Sequence, residues 1–129
     1  MPFVIKTATR SGLEPGAEIL LTETCMSDGG RISDGDEAFI WFSGAESRLA
    51  WQAVVVGVGP YANRSMAVRV RLAAASTSTA PTVTDLVPLR DVRDGSPMSE
   101  LSRKLYKHAL NKIAAISEPE AAMLRGYFA

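Results

Sequence analysis

Trp41 and Trp51, the two tryptophans of the chain, flank a short segment of glycine, serine and charge, Ser43 to Ser47. Each indole carries a flat apolar face and one N–H donor. Two of them near one turn can wall a pocket for a planar ligand. The same rings also serve to fill the interior of a small β domain, because an aromatic side chain buries so much surface. A second candidate lies further on. From Met66 to Leu72, Met66, Val68, Val70 and Leu72 take one strand face while Arg69 and Arg71 take the other. Two guanidiniums in a row suit phosphate oxygens, and they equally describe a solvated face.

Other residue sets point away from chemistry. Cys25 and His108, the sole cysteine and the sole histidine, fall short of the four ligands of a structural zinc site. Asp28, Asp34 and Asp36 are hard oxygen donors, but the Asp-x-Asp-x-Asp-Gly run and closing glutamate of a calcium loop are missing. They read as turn aspartates. Gly57 and Gly59 lack the third glycine of a dinucleotide fingerprint, and Pro60 stands where a helix would open. No metal and no cofactor is expected. Catalysis would need Glu23, Asp36 or Glu37 with a lysine, for instance a carboxylate buried beside Lys6, or His108 with a distant partner. No paired catalytic set is visible, so a non-catalytic protein is the expectation.

A chain of 129 residues with 47% apolar and 22% charged residues has the length and balance of one globular domain, expected over residues 1–129. No apolar run approaches the ~20 residues that span a bilayer. Met1 to Thr9 lacks the basic start and long apolar stretch of a signal peptide, so no membrane is expected among the partners, and the cytoplasm is the expected location. Net charge is zero, which excludes a global field drawing the chain to nucleic acid. The average hides an asymmetry: residues 1–60 carry 4 Lys+Arg against 8 Asp+Glu, and residues 61–129 carry 10 against 6. A basic face built from the second half is one outcome; interleaving of the halves is the other.

The elements that must position these groups follow from pattern. Pro2 to Ala8 reads as a short edge strand, with proline harmless at its first position. Arg10 to Gly16 is a turn, Ala17 to Thr24 a strand, and Cys25 to Asp36 a polar loop anchored by Ile32. Aromatic and β-branched residues over Phe39–Phe42 and Trp51–Val58 predict two strands paired as a hairpin, with Gly35-Asp36 as turn chemistry before them. Gly57 to Arg64 breaks the second strand, and Met66–Leu72 is the next. Ala73–Pro81 reads as a low-complexity loop and Thr82–Pro88 as a brief strand. Leu101, Leu105, Ala109, Ile113 and Ile116 then repeat at helical spacing and predict a helix over 99–116. Ser117 caps a second one, with Pro119 and two glutamates in its first turn and Met123, Leu124, Tyr127 and Phe128 on its apolar side. The helical C-terminal segment is thus about 99–128.

The stretch Gly35-Asp-Glu-Ala-Phe-Ile-Trp41-Phe-Ser-Gly44, followed by Leu49-Ala50 and a valine-rich strand, resembles the core of the PUA-like superfamily and, within it, the EVE-type domains. Ile116 to Ala121 is similar to the helix that closes some of these proteins. The resemblance implies an α+β fold, a small, strongly bent mixed β-barrel with C-terminal helices packed on it. It also implies recognition of a base in DNA or RNA, often a chemically modified one, inserted into an aromatic-lined pocket. On that reading Trp41 and Trp51 stack on the base, Ser43 and the backbone at Gly44 bond its edge, and Arg48, Arg69 and Arg71 hold phosphates. Two other classes stay open: an enzyme of the same superfamily acting on nucleic acid or a nucleotide-like small molecule, and a small-molecule or protein-interaction module. Zero net charge is the best support for the last.

Overall fold

The computed structural model describes residues 1–22, 25–26, 32–44, 46–60, 66–106 and 112–128, with only the backbone of Cys25, Met26, Met66 and Lys112. Among the described residues, seven strands form one sheet: β1 (Pro2–Ala8), β2 (Glu18–Leu21), β3 (Cys25–Met26), β4 (Glu37–Ser43), β5 (Arg48–Pro60), β6 (Met66–Ala75) and β7 (Lys112–Ala115). Their order is β2-β6-β5-β4-β1-β7-β3. β1 runs parallel to β4 and β3 parallel to β7, and every other pairing is antiparallel, so the sheet is mixed. Among the described residues, three α-helices follow the sixth strand or lie between later elements: α1 (Val83–Leu86), α2 (Pro97–Tyr106) and α3 (Glu118–Arg125).

Alternation along the strands divides the apolar residues between two faces. The inner face gathers Phe3, Ile5, Ile40, Trp51, Val70 and Ile113 with Ile19 and Leu21 of the end strand β2. Contact between residues so far apart in strand order means that the sheet curls around this core. It does so without closing, because β2 and β3 each pair on one side only among the described residues. The expected α+β class and mixed sheet are present, and the barrel is an open one. The other face buries Val4, Phe39, Trp41, Leu49 and Ala114 under Leu101 and Leu105 of α2 and Leu124 of α3.

Several expectations hold. β4 and β5 pair as the predicted hairpin, Ile32 is buried in the core as expected although Cys25–Met26 of the expected loop form β3 and residues 27–31 lie outside the described residues, and Gly35 adopts φ +90°, the conformation for which glycine was read there. Ser117 Oγ accepts the Glu120 N–H at 3.3 Å and caps α3. The charge asymmetry dissolves by interleaving, since Arg71 pairs with Glu18 and Arg125 with Glu37.

Other expectations are corrected. β1 is central, between β4 and β7, and is not an edge. The helix predicted over 99–116 does not run to its expected end: α2 is described as far as Tyr106, and Lys112–Ala115 is a strand on β1, with Ile113 opposite Ile5. A strand that pairs along β1 and buries Ile113 on one face and Ala114 on the other outweighs the local helical spacing. β5 continues through Gly57 to Pro60, where a break was expected, accommodating the glycines by a register shift between Val55 and Gly57. Ala73–Ala75 extend β6 instead of opening a loop. The brief strand expected in Thr82–Pro88 is α1 followed by a single 3-10 turn, started by Thr82 and Asp85 bonding each other's backbone. No helix among the described residues is long and apolar enough to cross a membrane.

Candidate functional site

β1 and β4 run side by side and end together, with Thr7 beside Phe42 and Ala8 beside Ser43. Lys6 is in register with Trp41, on the face that the helices cover. Between β4 and β5 the register shifts at Ile40 and Trp41, so Ile40 stands opposite Trp51 and Trp41 opposite Leu49. This shift decides the fate of the two indoles. They lie near one end of the hairpin, as expected, but on opposite faces, with Trp51 in the inner core and Trp41 in the helix-covered layer. They cannot wall one pocket together.

Trp41 is fully buried, its ring among the apolar side chains of the helix-covered layer and its N–H beside two hydroxyls. Its Nε1–H donates to Tyr106 Oη at 2.6 Å and to Ser47 Oγ at 3.3 Å, and the two hydroxyls bond each other at 2.6 Å. The Tyr106 ring stands edge-on to the indole, centroids 6.0 Å apart. Lys6 is only 5% exposed. Its Nζ donates to the Leu105 carbonyl at 2.6 Å and lies 4.3 Å from the Tyr106 ring centroid. The helix carbonyl accepts from the ammonium, and the ring face adds a cation–π contact. Burial raises the Tyr106 pKa, against the pull of the Ser47 and Trp41 hydrogen bonds, so the phenol remains a neutral donor and acceptor. The arrangement is a buried aromatic pair whose indole N–H meets two hydroxyls, with the Lys6 ammonium held between the Tyr106 ring and a helix carbonyl.

Ser43, Gly44 and Arg48 gather at the same end. Ser43 Oγ donates to the Thr7 carbonyl at 3.2 Å, Thr9 Oγ1 donates to the Ser43 carbonyl at 2.6 Å, and Gly44 turns at φ +92°. Arg48 is exposed at the start of β5, next to Ser47. Arg69 and Arg71 point outward as the alternation predicts, but elsewhere. Arg71 sits on the rung of Glu37 and Val54, five residues of β4 away from Phe42 and Arg48, roughly 17 Å along the strand. Arg71 pairs with Glu18 at 3.2 Å. Arg69 lines a concavity of about 300 Å³ with Leu20, Val56, Gly57, Val58, Gly59 and Ala67.

The carboxylates weighed for catalysis have structural partners. Glu37 accepts from Arg125 at 2.6 Å and Gln52 at 3.1 Å, and the Arg125 hydrogen bonds hold its carboxyl below the usual glutamate range. Asp36 accepts from the Ser33 N–H and from the chain's amino terminus. Glu23, Asp28 and His108 lie outside the described residues. Among the described residues no three His, Cys, Asp or Glu side chains gather as metal ligands. Lys6, Ser47 and Tyr106 are the members that sequence reasoning missed as a group. Lys6 alternates with Val4, which places it on the face of β1 that a central strand must bury, and that is the one signal the sequence carries for it.

No protein-family model and no curated protein matches the chain. Solved structures do. The DUF55 domain of human thymocyte nuclear protein 1 superposes with a TM-score of 0.71 at 12% identity, covering 98% of this chain and 97% of that one. Human THYN1 protein in complex with 5-methylcytosine-containing DNA superposes with a TM-score of 0.70 at 13% identity, covering 97% and 95%. Likeness over nearly the whole of both chains gives this protein the fold of the DUF55 domain, the PUA-like, EVE-type fold to which its Gly35–Gly44 stretch points.

Proposed function

We propose that this chain, as one domain over residues 1–129, is a non-catalytic reader of a base in DNA or RNA, with a modified base such as 5-methylcytosine as its preferred ligand and the cytoplasm as its place of action. The observation that carries this reading is the fold shared with THYN1 protein, which was solved in complex with 5-methylcytosine-containing DNA. The chemistry at Trp41 supports it. Taking a base out of a stack costs a few kcal/mol. Stacking on an aromatic ring returns about 1–3 kcal/mol, and each edge hydrogen bond a further ~1 kcal/mol. In this reading Trp41 supplies the ring, and its N–H with the Ser47 and Tyr106 hydroxyls beside it supplies the edge partners.

In this reading Trp41 is the platform, Ser43 and the Gly44 backbone form the rim, and Arg48 holds the phosphate beside the extruded base. Arg69 and Arg71 contact phosphates further along the nucleic acid. Trp51 backs the strand from the inner face. The test is fluorescence anisotropy at low salt with oligonucleotides that differ in one methyl group, on wild type and on Trp41→Ala, with the fold checked by circular dichroism. Methyl-dependent binding that a folded Trp41→Ala loses supports the reading. Absence of binding to every DNA and RNA probe overturns it.

A further inference from the structure

The outward face of β5 and β6 carries a hollow. Val68 and Val70 point into the inner core, so Arg69 between them points out. On β5 the residue opposite Arg69 is Gly57 and the residue opposite Ala67 is Gly59, and neither glycine sets a side chain on the sheet. Leu20 of β2 stands beside Arg69 on its other side. With Val56, Val58 and Ala67 it walls a space of about 300 Å³ above the glycines. That volume is at the lower end of the range for small-ligand sites. Leu20 is 43% exposed, so one wall is an apolar side chain open to water.

The charge in this hollow has one sign. No carboxylate lines it, and Arg69 has no ion-pair partner among the described residues. Glu18, two residues from Leu20 on the same face of β2, is already paired with Arg71 at 3.2 Å. A free guanidinium fits phosphate oxygens in a bidentate pair. It needs no hollow to meet a bare phosphate; an apolar hollow beside it suits a phosphate that carries an apolar body. In nucleic acid that body is the sugar, attached directly to the phosphate, whereas a base would bring its polar edge to side chains that offer it no acceptor and, Arg69 apart, no donor. Resting on the reading of the chain as a base reader, we propose that the Arg69 hollow is a second, sequence-indifferent subsite for one sugar–phosphate unit, the phosphate on Arg69 and the sugar over Gly57 and Gly59. Arg69 lies two residues beyond Arg71 along β6, hence roughly 24 Å along the sheet from the Phe42 and Arg48 rung. At the rise of about 3.4 Å per nucleotide of a duplex strand, that is about seven nucleotides from a base held at Trp41.

The probes are a single-stranded DNA of about fifteen nucleotides with a central 5-methylcytosine, long enough to reach the hollow from either side, and its unmethylated twin. Gly59→Val fills the hollow without a clash: a Cβ there meets no atom within 4 Å, the backbone is outside the left-handed region, and valine suits a strand. Its affinity for both probes is expected to fall roughly three- to tenfold, with the preference for the methylated probe unchanged. Arg69→Gln is expected to flatten the slope of log affinity against log salt by about 0.7, the share of one phosphate on a single strand. Wild-type affinity in folded Gly59→Val, or a wild-type salt slope in Arg69→Gln, overturns the subsite and leaves the reader standing. A changed methyl preference in either variant overturns it as well, because the hollow would then act on the base. Binding of neither probe to wild type at low salt overturns reader and subsite together. Should Gly59→Val not fold, Leu20→Ala takes its place by removing a wall of the hollow from an exposed position: an affinity equal to wild type overturns the subsite.

Discussion

Trp41 and Trp51 belong to one hairpin and lie on opposite faces of it; both pack among apolar side chains, but the Trp41 indole N–H also meets two buried or half-buried hydroxyls. The inner face around Trp51 is held by shape: Phe3, Ile5, Ile40, Val70 and Leu72 fill the curl of the sheet. The helix-covered layer around Trp41 is just as dry but includes an ammonium, an indole N–H and two hydroxyls, bonded to one another and to the end of α2. A cluster of that kind stabilises little relative to apolar packing, since each group loses water before it gains a partner. Polar groups kept inside a core at such small return fit a site of function better than a device for stability. The inner face offers the reverse case. Its one buried side-chain oxygen without a protein partner, among the described residues, is Thr7 Oγ1.

Substitution can break this comparison. Truncating either indole to alanine should cost about 3–5 kcal/mol in urea unfolding, because both are large and buried. The phenylalanine variants separate them. Trp51→Phe should retain most of the stability and all nucleic-acid binding. Trp41→Phe should lose a further ~1–3 kcal/mol by leaving Tyr106 and Ser47 short of a donor, and should abolish base-dependent binding. Equal behaviour of the two phenylalanine variants in both assays would show that the faces do not differ in function.

Lys6→Met should come next. It leaves the Leu105 carbonyl without its 2.6 Å donor and Tyr106 without its cation. The expected loss is about 1–3 kcal/mol, the cost of an orphaned buried acceptor, partly offset because the desolvated charge is gone. A stability gain in chemical denaturation would mean that the cluster is strained even in the free protein.

Thr7→Val should move the other way. Valine has nearly the shape of threonine and removes a hydroxyl that gains nothing inside the core, so stability should rise by about 1 kcal/mol. A decrease in melting temperature would show that the hydroxyl has a partner, such as a buried water, and would blur the contrast between the faces.

How much of this was legible follows from the range of the interactions concerned. The β4–β5 hairpin, the alternation of Val68 to Leu72 and the Ser117 cap depend on neighbours a few residues away, and the letters alone point to them. Ile113 was misread as helical because its partner, Ile5, lies on the first strand, and no local period records that pairing. β1 was misplaced at an edge for the same reason. The burial of Lys6 depends on α2 docking over β1, and the face of Trp41 on a one-residue shift in the ladder. Trp41 as a residue of interest was therefore visible in the sequence, whereas its companions Lys6, Ser47 and Tyr106 required the fold.

The smallest effect should come from the ion pairs that tie α3 to the sheet. Arg125 spans Glu37 and Glu118, with its side chain 40% exposed, so Glu37→Gln should cost no more than about 1 kcal/mol at neutral pH. Its pH dependence is the sharper readout. The Glu37 carboxyl is depressed in the folded state by its hydrogen bonds to Arg125. Its contribution is therefore complete above the unfolded value, roughly 4.3, and is lost as pH falls through that value and the lower folded one. Wild type should converge on Glu37→Gln in that acidic window while base binding at neutral pH stays the same in both, since this pair lies on the Arg71 rung, away from Trp41. A variant whose neutral-pH binding weakens in step with its stability would instead couple α3 docking to the Trp41 cluster, through Lys104 of α2 and its buried partner Glu120 of α3.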